Sequence, residues 1–211
     1  MKIINNCIIV FFKASIRLHK YHSYCFHYIV TRLLFILNGV KYSSFTTKGV
    51  PFLSVAYGSS LVIGKNFTMN NTFSSNPIGG FPKCKIFVDR KARICIGDNV
   101  GISGVTLTAQ DTIIIGNNVN LGGGVCIYDT DFHSLDTNNR NDKSLDSFKT
   151  SRKKINIGNN VFIGAHSTIL KGVTIGENSI VGACSLVVKD IPKNEIWGGN
   201  PAKFIRNISI T

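Results

Sequence analysis

From residue 157 onward the apolar positions recur every sixth residue. Ile157, Ile163, Ile169, Ile175, Val181 and Val187 form one series, and Val161, Ser167, Val173, Ser179, Ser185 and Ile191 form a second, four residues on in each unit. Glycine follows the aliphatic residue at 158, 164, 176 and 182. A helix repeats its apolar face at three and four, and a half-buried strand at two, so neither period accounts for a strict six. A coiled parallel sheet does. Each unit is a short strand that turns one side chain inward, followed by a corner where Gly or Asn tolerates the backbone angles. A single unit cannot bury its aliphatic residue, but stacked units bury a continuous column. The pattern predicts an all-β chain built as a parallel β-helix.

The same register runs N-terminally. Ile96 with Val100 and then Ile102 form one stretch, and Ile115, Val119, Leu121, Val125 and Ile127 form another. Ile63 with Phe67, and Val88 with Ala92, read as degraded first coils. Ile96 to Ile115 is nineteen residues, not eighteen, which places one inserted residue near Ala109–Asp111. From Ile127 to Ile157 the step is thirty, an excess of twenty-four over one unit. The expected organisation is an N-terminal segment at 1–50, a β-helix at 51–192 with a loop insertion at 129–153, and a C-terminal extension at 193–211.

The insertion reads DTDFHSLDTNNRNDKSLDSFKTSRK and holds a single histidine, His133. A long loop thrown out of a compact repeat array is usually functional. An imidazole, with an ordinary pKa of about 6.5, suits proton transfer near neutrality. A ring used as a base needs its other nitrogen held by an acceptor. Asp129, Asp131 and Asp136 are close in sequence. Asp131 is two residues away, and on an extended segment it shares a face with His133. A backbone carbonyl would serve equally.

Charge sets the first part of the chain apart. Residues 1–88 carry ten Lys or Arg and no Asp or Glu, whereas residues 89–211 carry fourteen basic and eleven acidic residues, giving the net +13. So one-sided a segment points to an anionic partner. Phe12, Ile16, Tyr24, Tyr28 and Leu34 trace a stripe at helical spacing, and Asn38-Gly39 is a stop signal. The segment is read as a basic amphipathic helix that either lies on an anionic membrane surface or packs on its own β-helix or on a trimer partner. No nucleic-acid-binding motif accompanies the charge. The six cysteines, Cys7, Cys25, Cys84, Cys95, Cys126 and Cys184, show no metal-type spacing and read as free thiols of a reducing, cytoplasmic compartment. No apolar run reaches the ~20 residues of a membrane span.

Two stretches carry a resemblance: IGNNVNLGGGVCIYDTDFHSLD, and INIGNNVFIGAHSTILKGVTIGENSIVGACSLVVKDIPKNEIWGGNPAKFIR. They are similar to the hexapeptide-repeat acyltransferases, above all to the maltose and galactoside O-acetyltransferases and their polysaccharide-modifying relatives. The likeness covers about residues 60–206. It implies a left-handed β-helix, a homotrimer with sites between neighbouring subunits, and acetyl-CoA as donor with no metal. The reaction implied is acetyl transfer to a hydroxyl of a sugar or surface glycan, which places the enzyme in the cytoplasm or at the inner face of the membrane.

Carried over residue by residue, the resemblance makes His133 the general base. Ala165 and Ala183 match positions whose backbone meets the pantetheine arm. Lys189, Lys203 and Arg206 match basic residues near the nucleotide phosphates, and Trp197 either packs on the adenine or caps the coil. His166 reads as a corner or interface residue. The family's asparagine on the preceding coil is absent, since Ile102, Ser103 and Gly104 stand there, and Ser103 is the candidate hydrogen-bond donor in its place. Acetylation of an amino sugar or another small molecule is the nearest alternative. A zinc hydratase of this fold needs three facing imidazoles. Only His133 and His166 lie in the repeat region; His19, His22 and His27 are N-terminal. A non-enzymatic scaffold binding anionic membrane or glycan is a further class, and it predicts that His133 is dispensable.

Overall fold

A computed structural model describes residues 2–76, 78 and 83–209. The side chains of 2–11, 14 and 18–20 fall outside that description, and Cys7 and His19 among them. Strands hydrogen-bond in strict rotation around a three-sided coil. The first face stacks Lys41–Tyr42, Ser60–Ile63, Arg93–Ile96, Thr112–Ile115, Ile155–Ile157 and Thr174–Ile175. The second stacks Phe45–Lys48, Phe67–Asn70, Gly101–Ser103, Asn120–Leu121, Phe162–Ile163 and Ile180–Val181. The third stacks Phe52–Val55, Lys85–Val88, Thr106–Ala109, Cys126–Tyr128, Thr168–Ile169 and Leu186–Val187. Neighbours on each face are parallel and in register, as in Ile113↔Ile155 and Ile127↔Ile169. The hexapeptide period is therefore one strand and one corner, three to a coil.

The two-residue strands of the later coils each send one side chain inward, and most four-residue strands send two, as Ile113 and Ile115 show. Ile63, Ile96, Ile115, Ile157 and Ile175 form one buried column, and Ile86, Leu107, Ile127, Ile169 and Val187 another. Full burial of such a side chain contributes about 1.5–3 kcal/mol, so these columns dominate the stability. The corners carry a second stack. Asn66, Asn99, Asn118, Asn160, Asn178 and Asn194 all adopt φ between 56° and 63°. Asn tolerates this left-handed region better than other side chains. Each amide donates to the next asparagine, at 2.8–3.0 Å. The ladder passes from Asn118 directly to Asn160 at 3.0 Å. The insertion thus leaves the coil without disturbing the stack.

The irregularity between Ile96 and Ile115 is a compensated one. Ile102 to Leu107 takes five residues and Leu107 to Ile115 takes eight, yet Ile102 still pairs Leu121 and Leu107 still pairs Ile127. One corner is a residue short, and the next, around Gln110-Asp111, is two residues long.

Helix α1 spans Lys2–Leu37. Neither Gly nor Pro interrupts it, and it stops at Asn38-Gly39, where Gly39 takes φ +64°. The Val40 amide returns to the Phe35 carbonyl at 2.9 Å. Asn38 then ties the helix end to the coil: its Nδ2 donates to Leu34 O at 2.9 Å and its Oδ1 accepts the Val55 amide at 3.2 Å. The face that packs is Tyr28, Thr31 and Phe35, which closes the open end of the core against Tyr42 and Phe45. Of the expected stripe, Tyr28 packs on the core while Phe12, Ile16 and Tyr24 are exposed. The coil starts at Lys41, ten residues ahead of the boundary read from the sequence. Its first turn places Tyr42, Thr47 and Leu53 where later coils carry Ile63, Ile102 and Ile86, and so hides the period. Among the described residues no helix is long and apolar enough to cross a membrane.

Candidate active site

The insertion leaves the third face after Tyr128. Asp129, fully buried, pins its root: its carboxylate accepts the Gln110 amide at 2.7 Å and the Asp111 amide at 3.0 Å. Burial pushes this carboxyl above its ordinary value, against the two amides that favour the charged form. The neck is closed by an antiparallel bridge between Thr130 and Arg152. Thr130 Oγ1 and Arg152 Nε both donate to Gln110 Oε1, at 2.7 and 3.0 Å.

Beyond the neck the chain turns sharply, because Phe132 takes φ +63°. His133 then points away from the coil, with its side chain 70% exposed. Two short helices follow, α2 (Thr137–Arg140) and α3 (Lys143–Lys149). Asp136 caps the first through the Asn138 amide, and Asp142 caps the second through the amides of Ser144 and Leu145. Asp146, in α3, faces back to the histidine. His133 Nδ1 lies 2.7 Å from Asp146 Oδ2, and Asp146 Oδ1 accepts the Ser134 amide at 2.6 Å. The hydrogen bond with His133, followed by that from Ser134, holds the Asp146 carboxyl below its ordinary value. An ionised carboxylate only accepts, so the proton sits on Nδ1 and Nε2 keeps its lone pair turned outward.

The carboxylate that meets His133 is therefore Asp146, and Asp131 does not. The left-handed Phe132 breaks the extended geometry that would have put Asp131 and His133 on one face. Asp131 instead pairs with Lys171 at 2.8 Å and clamps the loop to the next coil. Asp129 and Asp136 have their own structural tasks. Asp146 lies thirteen residues from His133 and carries no sequence signal that marks it as the partner.

The remaining candidates lie on other parts of the coil. Ser103, Ala165 and Ala183 line the edge between the second and third faces. There Gly124, His166 and Cys184 take φ of 71°, 60° and 56°, with the His166 amide on Gly123 O and the Cys184 amide on Ala165 O. The backbones stack so closely that a Cβ on Gly122 would lie 2.6 Å from the Ala165 nitrogen. Among the described residues the amides of Ala165 and Ala183 have no acceptor. Ser103 Oγ accepts from Asn70 Nδ2 at 2.9 Å, so an asparagine amide from the preceding coil stands beside it, a residue the sequence did not single out. Lys189 is exposed at the end of the last coil. Lys203 and Arg206 are exposed on the terminal strand Lys203–Asn207, which pairs with Glu195–Gly198. Trp197 donates its indole N–H to Glu195 Oε2 at 2.6 Å and packs on the core. Among the described residues no three His, Cys, Asp or Glu side chains converge as a metal-ligand set.

His133 thus springs from the edge between the third and first faces, while the open amides line the edge between the second and third. One chain carries both halves but on different edges of the prism.

A family model described as bacterial transferase hexapeptide (six repeats) matches residues 154–189. Protein CapG of Staphylococcus aureus is 44% identical over 116 residues, which are 54% of this chain and 53% of that protein. The chain therefore matches about half the length of this curated relative. A solved hexapeptide-repeat containing acetyltransferase from Vibrio cholerae is 33% identical at a TM-score of 0.50, covering 60% of this chain and 73% of that one. The chain belongs to the hexapeptide-repeat acyltransferases. AntD, an N-acyltransferase from Bacillus cereus, superposes at a TM-score of 0.63 with 20% identity over 80% of this chain and 82% of its own, a likeness of fold. The coil is the left-handed parallel β-helix of this family.

Proposed function

We propose that this acyltransferase moves an acetyl group from acetyl-CoA to a hydroxyl of a sugar or surface-polysaccharide unit, with His133 as general base. The observation that carries this reading is the His133–Asp146 pair, which fixes the tautomer and leaves Nε2 open to a substrate. A sugar hydroxyl is a poor nucleophile until its proton is removed during attack. Nε2 takes that proton as the oxygen attacks the acyl carbon, and the resulting imidazolium, facing the Asp146 carboxylate, returns it to the departing sulfur. The base supplies about 10²–10⁴ in rate.

The donor supplies the electrophilic thioester carbonyl. The residues present fit it. Open amides at Ala165 and Ala183 suit the amide oxygens of a pantetheine arm, and their small side chains allow close approach. Lys189, Lys203 and Arg206 suit phosphates. The separation of His133 from that edge supports a homotrimer in which the base of one subunit serves the amide row of its neighbour.

Thiol release from acetyl-CoA, measured against a panel of free and lipid-linked saccharides, tests the reading. Turnover with a hydroxyl sugar that vanishes in His133→Ala supports it. Turnover confined to amino sugars replaces the acceptor class. Turnover unchanged by His133→Ala defeats the assignment of the base.

A further inference from the structure

Helix α1 has two apolar faces, and the β-helix covers only one of them. Tyr28 stacks on Phe45 at 4.9 Å between ring centroids, and His27 Nδ1 accepts the Gly49 amide at 3.1 Å. With Thr31 and Phe35 fully buried, the rotation of the helix about its own axis is fixed. The opposite face presents Phe26, Ile29, Leu33, Ile36 and Leu37, each between 53% and 81% exposed. Their spacing of three, four, three and one keeps them on a single stripe. Contiguous exposed apolar surface of this kind marks an interaction site.

Charge decides the partner. The described cations of this helix are Lys13, Arg17 and Arg32, and residues 1–88 hold no acidic residue. Arg32 flanks the stripe, and residues 1–88 offer it no acidic counter-charge, which an anionic bilayer supplies. Lys13 and Arg17, five turns before Thr31 and Phe35, lie on the opposite, polar side. An apolar face entering the headgroup boundary, with a basic polar face behind it, is the pattern of an interfacial helix. We infer that the outward face of α1 seats this enzyme on an anionic phospholipid surface, lying on the bilayer and not through it. The inference is independent of the acceptor: its test reads binding, not turnover.

The test sediments the full-length chain with vesicles of phosphatidylcholine, with and without phosphatidylglycerol. Binding is expected to the anionic vesicles only, and to be released in 1 M salt, where the Debye length is about 3 Å. Replacing Phe26, Ile29 and Leu33 by Gln should weaken partitioning at least about tenfold, since each removed side chain forfeits buried apolar area. Replacing Arg32 by Gln should weaken it about fivefold, from the worth of one basic residue near an anionic surface. Both variants should keep the wild-type melting temperature and oligomeric mass. Equal binding to neutral and anionic vesicles, no binding to either, or unchanged binding of the Gln variants overturns the inference. So does a fall in oligomeric mass on replacing Phe26, Ile29 and Leu33, which would assign the stripe to a second copy.

Discussion

His133 Nδ1 and Asp146 Oδ2 meet at 2.7 Å across thirteen residues of chain. The contact turns a flexible, exposed ring into one with a single tautomer. His133→Ala should lower kcat by about 10²–10⁴ with the fold intact. Asp146→Asn should lower it by roughly 10²-fold, because the ring loses both its fixed tautomer and its anionic partner. Nitrogen chemical shifts of the His133 ring separate this from a structural effect: Nδ1–H should dominate in the wild type and lose its dominance in Asp146→Asn.

The same pair sets a pH dependence. The Asp146 carboxyl is held below its ordinary 3.8 by His133 and the Ser134 amide. A depressed carboxyl stabilises the fold above its unfolded value and loses that contribution as pH falls through the folded one. The loop is therefore expected to stay closed at pH 5 and to open below about pH 3.8. Hydrogen exchange at the Ser134 amide reads this directly, and exchange that quickens already at pH 5 would contradict it.

The repeat made the coil legible because an inward aliphatic recurs every six residues, so Ile157 to Val187 could be read as successive inward positions from spacing, while three units to a coil came from the resemblance. The first coil was obscured where Phe45 and Thr47 replace the usual aliphatics against the end of α1. His133 stood out because it lies in the longest break in the period. Its partner did not, for a physical reason. Proximity in sequence favoured Asp131, but a single left-handed residue, Phe132, reverses the chain, and a helix thirteen residues on returns a carboxylate. Backbone reversals at non-glycine residues leave almost no trace in composition. The packing face of α1 was hidden for a similar reason: both of its sides are apolar, and only the coil beneath selects Tyr28 and Phe35.

Asp129 should matter for stability more than for chemistry. Asp129→Ala would leave the Gln110 and Asp111 amides without their acceptor at the root of the loop. Both amides are only partly buried, so water can replace part of what they lose, and a loss of about 1–2 kcal/mol is expected in urea unfolding. Activity measured well below the unfolding midpoint should fall far less than in His133→Ala.

Cys84 provides an alkaline marker. Its thiol is completely buried, and burial pushes it up to about 11 from 9.0. A raised thiol stabilises the fold fully below its unfolded value and loses that contribution as pH climbs toward the folded one. Stability should therefore fall between pH 9 and 11, by about 2–3 kcal/mol from this group. Cys84→Ala should flatten that part of the profile, and Cys184, exposed at a corner, should react with thiol reagents at pH 8 while Cys84 does not.

The amide row separates donor binding from folding. Ala183 is exposed, so Ala183→Trp meets solvent and should change stability by no more than about 0.5 kcal/mol. Its indole would nevertheless cover the open amide and fill the space a pantetheine arm needs. KM for acetyl-CoA should rise at least about tenfold, equivalent to roughly 1.4 kcal/mol of lost binding, with little change in kcat at saturating donor. Lys203→Ala with Arg206→Ala should raise the same KM, and should do so less at high salt, because exposed charges are screened there. If Ala183→Trp leaves KM for the donor unchanged, the donor does not lie along this edge. The base on the opposite edge would then need a different partner surface.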